Sequence, residues 1–226
     1  MCAGKNLPQM NRGCTVHEGS VAAGLRSVFG VFDGMGGLSD GETAAYVALR
    51  TFAEDVCTNG AVVSVQRLSD ICLKMSERVF AVAEENKCQM GAAAVLLACT
   101  QDNVLIANVG DCSIFRFCGA DTIKVSVDHV EPSFGRKSSA LSQYLGVPPY
   151  EFLISPHTAV LPLRFGDCYL LCSDGITSVL QQEDLHAVFM ADTSPRAVAK
   201  ELLRLAEERH CNDDATVIVV RIKKDE

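Results

Sequence analysis

The sequence has few aromatic residues, no tryptophan, no excess of positive charge and no long apolar run. Aromatic residues make up 6% of the 226 residues, and the formal net charge is -8. Surfaces that bind nucleic acid are normally basic, so this charge argues against such a partner. No apolar run approaches the roughly 20 residues of a membrane-spanning helix, and the first residues lack the apolar core of a signal peptide. We therefore expect no nucleic-acid partner and no membrane insertion.

The cysteines also lack a recognisable pattern. Eleven of them are spread through apolar segments without the Cys-x2-Cys pairs of zinc sites. We interpret them as small buried hydrophobic residues in a reducing compartment, which predicts a cytoplasmic protein. Hydrophobic residues make up 48% of the chain. Residues 1–226 can therefore bury the core of one domain, which we expect to be a monomer.

The most informative segment is an apolar run that ends on an acid inside a glycine-rich turn, VFGVFDGMGGLSDGE from Val28 to Glu42. The run predicts a buried strand, and the glycines let the chain fold tightly around Asp33. A hard divalent cation prefers carboxylate and carbonyl oxygens, and Gly34 leaves its carbonyl sterically accessible. The alternative is an ordinary Asp-Gly turn.

Further acids lie next to strands in the second half of the chain. Asp174 directly follows the apolar run Cys168–Cys172, while Asp213 and Asp214 precede the β-branched run Thr216–Val220. Helix capping is the alternative for Asp174, and a turn is the alternative for the pair. Crowded carboxylates repel one another unless a cation neutralises them. We therefore predict that Asp33, Asp174 and Asp213 share a metal centre.

The hydrophobic periodicity and the turn residues predict an α+β protein, with two helices first, then strands, then helices and a last strand. The strands of the first half are expected to form an antiparallel meander. The predicted helices are 40–57, 65–85, 181–190 and one beginning at Ser194-Pro195, and the predicted strands are 92–99, 104–109, 113–117, 122–127, 152–163, 168–172 and 216–222.

The segments around these acids resemble the metal-dependent protein serine/threonine phosphatases of the PPM (type-2C) family, particularly its short bacterial members. Four segments occur in the family's order: VFGVFDGMGGLSDGETAAYVA, MGAAAVLLACTQDNVLIANVGDCSIFRF, GDCYLLCSDGI and NDDATVIVV. The resemblance implies two packed antiparallel sheets flanked by helices, an α-β-β-α sandwich. It also implies a short helix at Ala140 to Leu145.

The resemblance implies specific metal ligands. Asp33 would bridge two Mg or Mn ions with help from the Gly34 carbonyl, and Asp174 and Asp213 would complete the second site. Asp111 matches an acid that helps to hold a third, weaker ion in several relatives, although it reads equally well as a hairpin-turn residue. The ions would activate a bridging water and stabilise the charge on the phosphoryl oxygens. No phosphoenzyme is needed, and we interpret none of the cysteines as part of the Cys-x5-Arg loop of a thiolate phosphatase.

The N-terminal segment departs from the family pattern. Relatives open with an Arg that contacts phosphate and with supporting acids, whereas Asn6, Met10 and Asn11 stand at these places here, and the first acid of the chain is Glu18. Asn cannot reproduce the bidentate grip of a guanidinium on phosphate. The phosphate-binding residue is therefore unassigned. Candidate replacements, whose alternative is a solvated surface charge, are Lys5, Arg12 and Arg26.

Three functions remain open. The first is a phosphatase that removes phosphate from phosphoserine and phosphothreonine in proteins and opposes a serine/threonine kinase. The second is a catalytically silent, metal-binding regulatory module on the same fold, which the altered N-terminal segment favours. The third is a phosphatase for a small phosphorylated molecule. The retained acids favour the first, whereas His129, in an Asp128-His129 pair similar to one common in the family, we interpret as architectural.

Overall fold

Two antiparallel four-stranded sheets form the centre of the molecule. The structure is a computed structural model, and it describes residues 19, 27–35, 40–131, 140–191 and 194–224. The strands are β1 Ser27–Gly34, β2 Ala92–Cys99, β3 Asn103–Val109, β4 Ser113–Cys118, β5 Asp121–Lys124, β6 His157–Pro162, β7 Cys168–Cys172 and β8 Val217–Arg221. The helices are α1 Gly41–Asn59, α2 Val65–Asn86, α3 Asp174–Thr177, α4 Gln182–Ala191 and α5 Pro195–Glu208.

The sheets pack face to face with helices on both outer sides. One sheet has the strand order β1-β2-β3-β6 and the other β5-β4-β7-β8. Strand β2 (AAAVLLAC) is buried on both faces. Its alternate residues face the α1–α2 layer and the second sheet respectively, because successive side chains of a strand point to opposite faces. A third apolar cluster joins the second sheet to α3, α4 and α5. The predicted α-β-β-α sandwich is confirmed.

The helices begin where the sequence predicts. The Ser64 hydroxyl accepts a hydrogen bond from the Arg67 N–H and caps α2. Ser194 caps α5 in the same way, with Pro195 at the first helical position. Both arrangements satisfy an N–H group that the first turn leaves without a helical partner.

The predicted four-strand meander is wrong at its middle. Strands β2 and β3 pair, and β4 and β5 pair, but β3 and β4 belong to different sheets. The chain crosses between the sheets at Gly110, which has a φ of +91°. A Cβ there would come within 2.5 Å of the Ala93 Cβ, so the crossing requires glycine.

The predicted strand 122–127 stops at Lys124 because side chains replace the expected strand partners. The Val125 N–H still donates to the Ile114 carbonyl at 2.9 Å. Beyond it, the Ile114 N–H donates to the Ser126 hydroxyl at 2.9 Å. The Asn108 side chain pairs with both backbone groups of Val127. The segment therefore stays against the sheets without forming a ladder.

Two other local predictions are also wrong. The short helix predicted at 140–145 does not form, because Leu145 exchanges backbone hydrogen bonds of 3.1 and 2.8 Å with Ala92. The Ser142 N–H donates to the His129 carbonyl, and this bond too is incompatible with a local helix. The predicted strand 152–163 is shorter, since only β6 pairs with β3.

Candidate metal centre

Asp33 lies near the end of β1, on the strand paired with β2. It stands opposite Ala93 in the register. The next residue, Gly34, packs directly against the start of α1: a Cβ on Gly34 would lie 2.1 Å from the Gly41 carbonyl oxygen. Any other residue at position 34 would therefore push the helix away from the strand. The glycine after Asp33 is needed for this close approach, whereas its predicted role as a carbonyl ligand stays a prediction.

Asp174 lies at the first turn of α3, directly after β7, and the chain before β8 is packed against it. A Cβ on Gly175 would come within 2.4 Å of the Asp214 carbonyl oxygen. The Ser173 hydroxyl donates to the same carbonyl at 3.3 Å and accepts from the Thr216 N–H at 3.0 Å. These contacts join the Asp174 and Asp213 segments, which are far apart in sequence.

Asp111 follows the glycine of the sheet crossing. It precedes β4, whose first residue Ser113 pairs with Cys172 at the end of β7. The crossing therefore brings Asp111 to the end of the sandwich that also holds Asp174. It is a residue of the sheet crossing, not a turn within a hairpin.

The electrostatics show that these acids are close to one another. Burial raises the pKa of Asp33 to about 8, with further contributions from the charge of Asp174, a hydrogen bond with Asp174, and the charges of Asp213 and Asp111. Burial and the charge of Asp213 likewise raise the pKa of Asp174. Burial and the charge of Asp174 raise the pKa of Asp111 to about 6. The fold thus brings Asp33, Asp111, Asp174 and Asp213 close to one another.

The contact pair Asp33–Asp174 suits a hard divalent cation. In the absence of a cation, the two carboxyl groups can meet only by sharing a proton, and this adds to the effect of burial in raising the pKa of Asp33. The Asp174 Oδ1 atom is buried without a hydrogen-bond partner. Carboxylate oxygens, one of them unpaired, form the donor set that Mg or Mn prefers. The residues present therefore fit such an ion.

The pair is not by itself a complete ligand shell. Within the described ranges, no three His, Cys, Asp or Glu side chains form a group that could hold a metal as they stand. Asp213 and Asp111 act on Asp33 through their charges, whereas Asp174 also shares a hydrogen bond with it. The structure therefore assembles Asp33 and Asp174 in contact and places the other two acids nearby.

A polar network that sequence reasoning missed lies beside Asp111. Asn108, which is 1% exposed, bonds to the backbone of Val127 and to the ring of His157. His129 accepts a hydrogen bond from the Gly110 N–H, and its predicted architectural role stays a prediction. Lys124 also lies here, where its charge partly opposes the rise in the pKa of Asp111 and its ammonium group pairs with Asp128. The sequence signal that could have revealed the network is the polar Asn108 within the apolar run 104–109.

The proposed replacements for the phosphate-binding Arg, namely Lys5, Arg12 and Arg26, lie outside the described residues, as do Asn6, Met10, Asn11 and Glu18. The spacing Cys-x5-Arg does occur once, at Cys72 and Arg78. Both residues belong to α2, and burial raises the pKa of the Cys72 thiol to about 12. A buried thiol within a helix cannot serve as the nucleophile of a phosphate-binding loop.

The sequence of this chain is similar to those of a known protein family. The model of the family Protein phosphatase 2C matches residues 5–132. The chain is 27% identical to "Probable protein phosphatase 2C 45" of Oryza sativa subsp. japonica, over 89% of this chain and 79% of that protein. It is 24% identical to "Serine/threonine phosphatase stp" of Listeria monocytogenes, over 84% of this chain and 82% of that protein.

Solved structures agree with the fold. PppA, described as a key regulatory component of T6SS in Pseudomonas aeruginosa, superposes with a TM-score of 0.75 at 26% identity, covering 87% of this chain and 86% of that one. The catalytic domain of PstP, solved in complex with two manganese ions, gives a TM-score of 0.74 at 20% identity, with 92% and 96% covered. No helix in the described part of the chain is long and apolar enough to cross a membrane.

Proposed function

Because this chain belongs to the Protein phosphatase 2C family, we propose that it hydrolyses phosphoserine and phosphothreonine in proteins with Mg or Mn held by Asp33, Gly34, Asp174 and Asp213. The observation that supports this most directly is the contact between the carboxyl groups of Asp33 and Asp174; burial, together with this contact, raises the pKa of Asp33 to about 8. Such a pair is unfavourable by itself and becomes favourable when a cation takes the place of the shared proton.

Each acid has a defined task in this proposal. Asp33 would lose its proton when the site is loaded and would hold the ions together with Asp174 and Asp213. When bound, the ions supply Lewis-acid activation of a water nucleophile and neutralise the charge that develops on the phosphoryl oxygens. Gly34 keeps the backbone close to the first turn of α1, and its carbonyl would be a further ligand. Two ions are proposed because the family implies them and because PstP, which shares the fold, was solved with two manganese ions.

The substrates would be proteins phosphorylated by a serine/threonine kinase in the cytoplasm. The chain carries a net charge of -8, so its cations would also reduce the repulsion of an anionic phosphoprotein. A catalytically silent, metal-binding regulatory module is the second candidate. The observation that favours it is the N-terminal segment, where Asn6, Met10 and Asn11 stand in place of the phosphate-binding Arg and its neighbouring acids.

The test is hydrolysis of an aryl phosphate and of a phosphothreonine peptide with Mn, with Mg and with chelator. We expect Asp33→Asn and Asp174→Asn to reduce the rate by roughly 100-fold or more, the scale of lost electrostatic stabilisation of a transition state. Asp70→Asn is the matched control, because Asp70 lies on α2 and its carboxylate accepts an exposed hydrogen bond from Gln66. It should leave the rate unchanged.

The outcomes separate the candidates. Hydrolysis that persists in chelator, or that is unchanged in Asp33→Asn, would overturn the metal-dependent mechanism. Mn that raises the melting temperature of the wild type without any hydrolysis would favour the silent module. Neither hydrolysis nor thermal stabilisation by Mn would reject both. Hydrolysis of the aryl phosphate but not of the peptide would favour a small phosphorylated substrate.

A further inference from the structure

A polar network built around Asn108 and His129 reaches the sheet crossing at Gly110. Asn108 lies on β3 and faces the second sheet, on the same side as Ile106. Its Nδ2 donates to the Val127 carbonyl at 2.6 Å, and its Oδ1 accepts from the Val127 N–H at 3.2 Å. This bidentate pairing fixes the amide orientation. The His157 ring nitrogen Nδ1, 3.0 Å from Oδ1, must therefore be a donor.

The network continues to the sheet crossing through His129. The His129 N–H donates to the Gly110 carbonyl at 2.9 Å, and the Gly110 N–H donates to His129 Nδ1 at 3.2 Å. Because Nδ1 accepts, the ring must be neutral and carry its proton on Nε2. Both backbone groups of Gly110 are thus bound by one residue. Asn108 supports the position of His129 through its two hydrogen bonds to the backbone of Val127, which lies two residues before His129.

Gly110 in turn determines where Asp111 lies. Its φ of +91° and its contact with Ala93 leave the backbone little room to rearrange. Asp111 is the next residue, and the charge of Asp174 contributes to its raised pKa. The charged and titratable groups that face His129 are His157 and Asp128. A shift of the crossing would therefore move Asp111 relative to Asp174 and Asp33.

We propose that His129 is a positioning residue of the metal centre: through its two hydrogen bonds to Gly110 it holds the carboxylate of Asp111 toward Asp174, and Asn108 and His157 support it. This inference rests on the proposed function, since it gives Asp111 a part in holding a further, weaker Mg or Mn ion. Side chains that orient the ligands of a metal commonly affect its affinity as strongly as 10- to 100-fold. His129 would influence metal affinity without touching the metal.

The experiment compares His129→Leu with His129→Asn in the full chain. Asn places an acceptor oxygen near the position of Nδ1, whereas Leu has a similar volume and no acceptor. We expect His129→Leu to raise the Mn concentration for half-maximal hydrolysis by roughly 10-fold or more, and to weaken Mn binding in calorimetry. In His129→Asn, the Mn concentration for half-maximal hydrolysis and the Mn affinity in calorimetry should both be close to those of the wild type. His186→Leu, which removes a 2.9 Å contact of a histidine ring with the Thr122 hydroxyl, is the control and should change neither.

Coupling to Asp111 distinguishes positioning from mere stabilisation. If His129 acts through Asp111, then adding His129→Leu to Asp111→Asn should cause little further change in Mn affinity, although His129→Leu lowers the denaturant concentration of unfolding in either background. Equal losses of affinity in both backgrounds, or no loss with His129→Leu in a folded protein, would overturn the inference. Its failure is distinct from that of the proposed function, which Asp33→Asn tests.

Discussion

The two ends of the sheet sandwich both bury ionisable side chains, but with opposite charge relationships. At one end Asp33 and Asp174 bring two carboxyl groups into contact, and Asp213 and Asp111 add further negative charge. At the other end Arg116, near the end of β4, pairs with Asp167 just before β7, and both are less than 10% exposed. The Arg116 Nε atom donates to the Asp167 carboxylate at 2.8 Å.

The difference shows what each end contributes. The charges of Arg116 and Asp167 neutralise each other, so this end of the sandwich needs no counter-ion from solution. Among the residues that the structure describes, the opposite charge that acts on the acidic end is that of Lys124, which lies near Asp111 and is paired with Asp128. A protein that buries like charges together loses stability there, and this loss is offset when a cation binds.

The largest expected effect is at the neutralised end. Arg116→Met leaves the Asp167 carboxylate buried without its partner, which should lower the free energy of unfolding by about 3–5 kcal/mol. Urea unfolding at neutral pH measures this decrease in the free energy of unfolding. The decrease should be the same with Mn and without Mn. The double variant Arg116→Met/Asp167→Leu is the control and should recover much of the loss. A loss that Mn repairs would contradict the separation of the two ends.

Glycine replacements give a smaller contrast. Gly175→Ala should cost about 1–3 kcal/mol and reduce hydrolysis, because the new Cβ would press on the Asp214 carbonyl and shift the segment that carries Asp213. The matched variant is Gly166→Ala beside Asp167, where φ is +93° but the space around the Cβ is open. It should cost about 1 kcal/mol through backbone strain alone. Its rate of hydrolysis should be unchanged, and equal rates in the two variants would count against the predicted role of Asp213.

Asp33→Asn should change stability in the opposite direction. It removes one carboxyl group from the like-charged pair, so the metal-free variant should be more stable than the metal-free wild type at about pH 8, by an amount on the order of 2 kcal/mol. Denaturant unfolding in chelator measures this difference. Addition of Mn should then stabilise the wild type and leave the variant nearly unchanged. A variant that is less stable than the wild type in chelator would show that the pair is not unfavourable.

The smallest expected effect is the gradual change of the metal-free protein's stability with pH. The unfolded Asp33 side chain loses its proton near the usual value of 3.8, whereas the folded one keeps it until about pH 8. The contribution of this proton is therefore present below about pH 4 and is lost as pH rises toward about 8. Melting temperatures in chelator across this range should fall faster for the wild type than for Asp33→Asn. Identical slopes would contradict the raised pKa.

Much of the fold was predictable because local patterns and tertiary structure agree. The apolar run 92–99 is a strand in the structure with the predicted bounds, and Ser194-Pro195 begins α5 as expected. Predictions failed where tertiary hydrogen bonds, from side chains or from distant backbone, replaced the local backbone partners. Ser126 and Asn108 end the ladder that the β-branched residues around Val125 favour, and Ala92 takes the backbone groups that a helix at 140–145 would have used.

The sequence by itself determined which residues could form a metal centre, because a carboxylate at a strand end followed by glycine is a local pattern that Asp33 and Asp174 both show. Only the tertiary structure decided that these two carboxyl groups are in contact, while Asp213 and Asp111 act through charge. It also decided that Asn108 and His129 hold the sheet crossing beside Asp111. These relations depend on strand pairing and sheet packing between distant segments, and no local pattern encodes the distance between them.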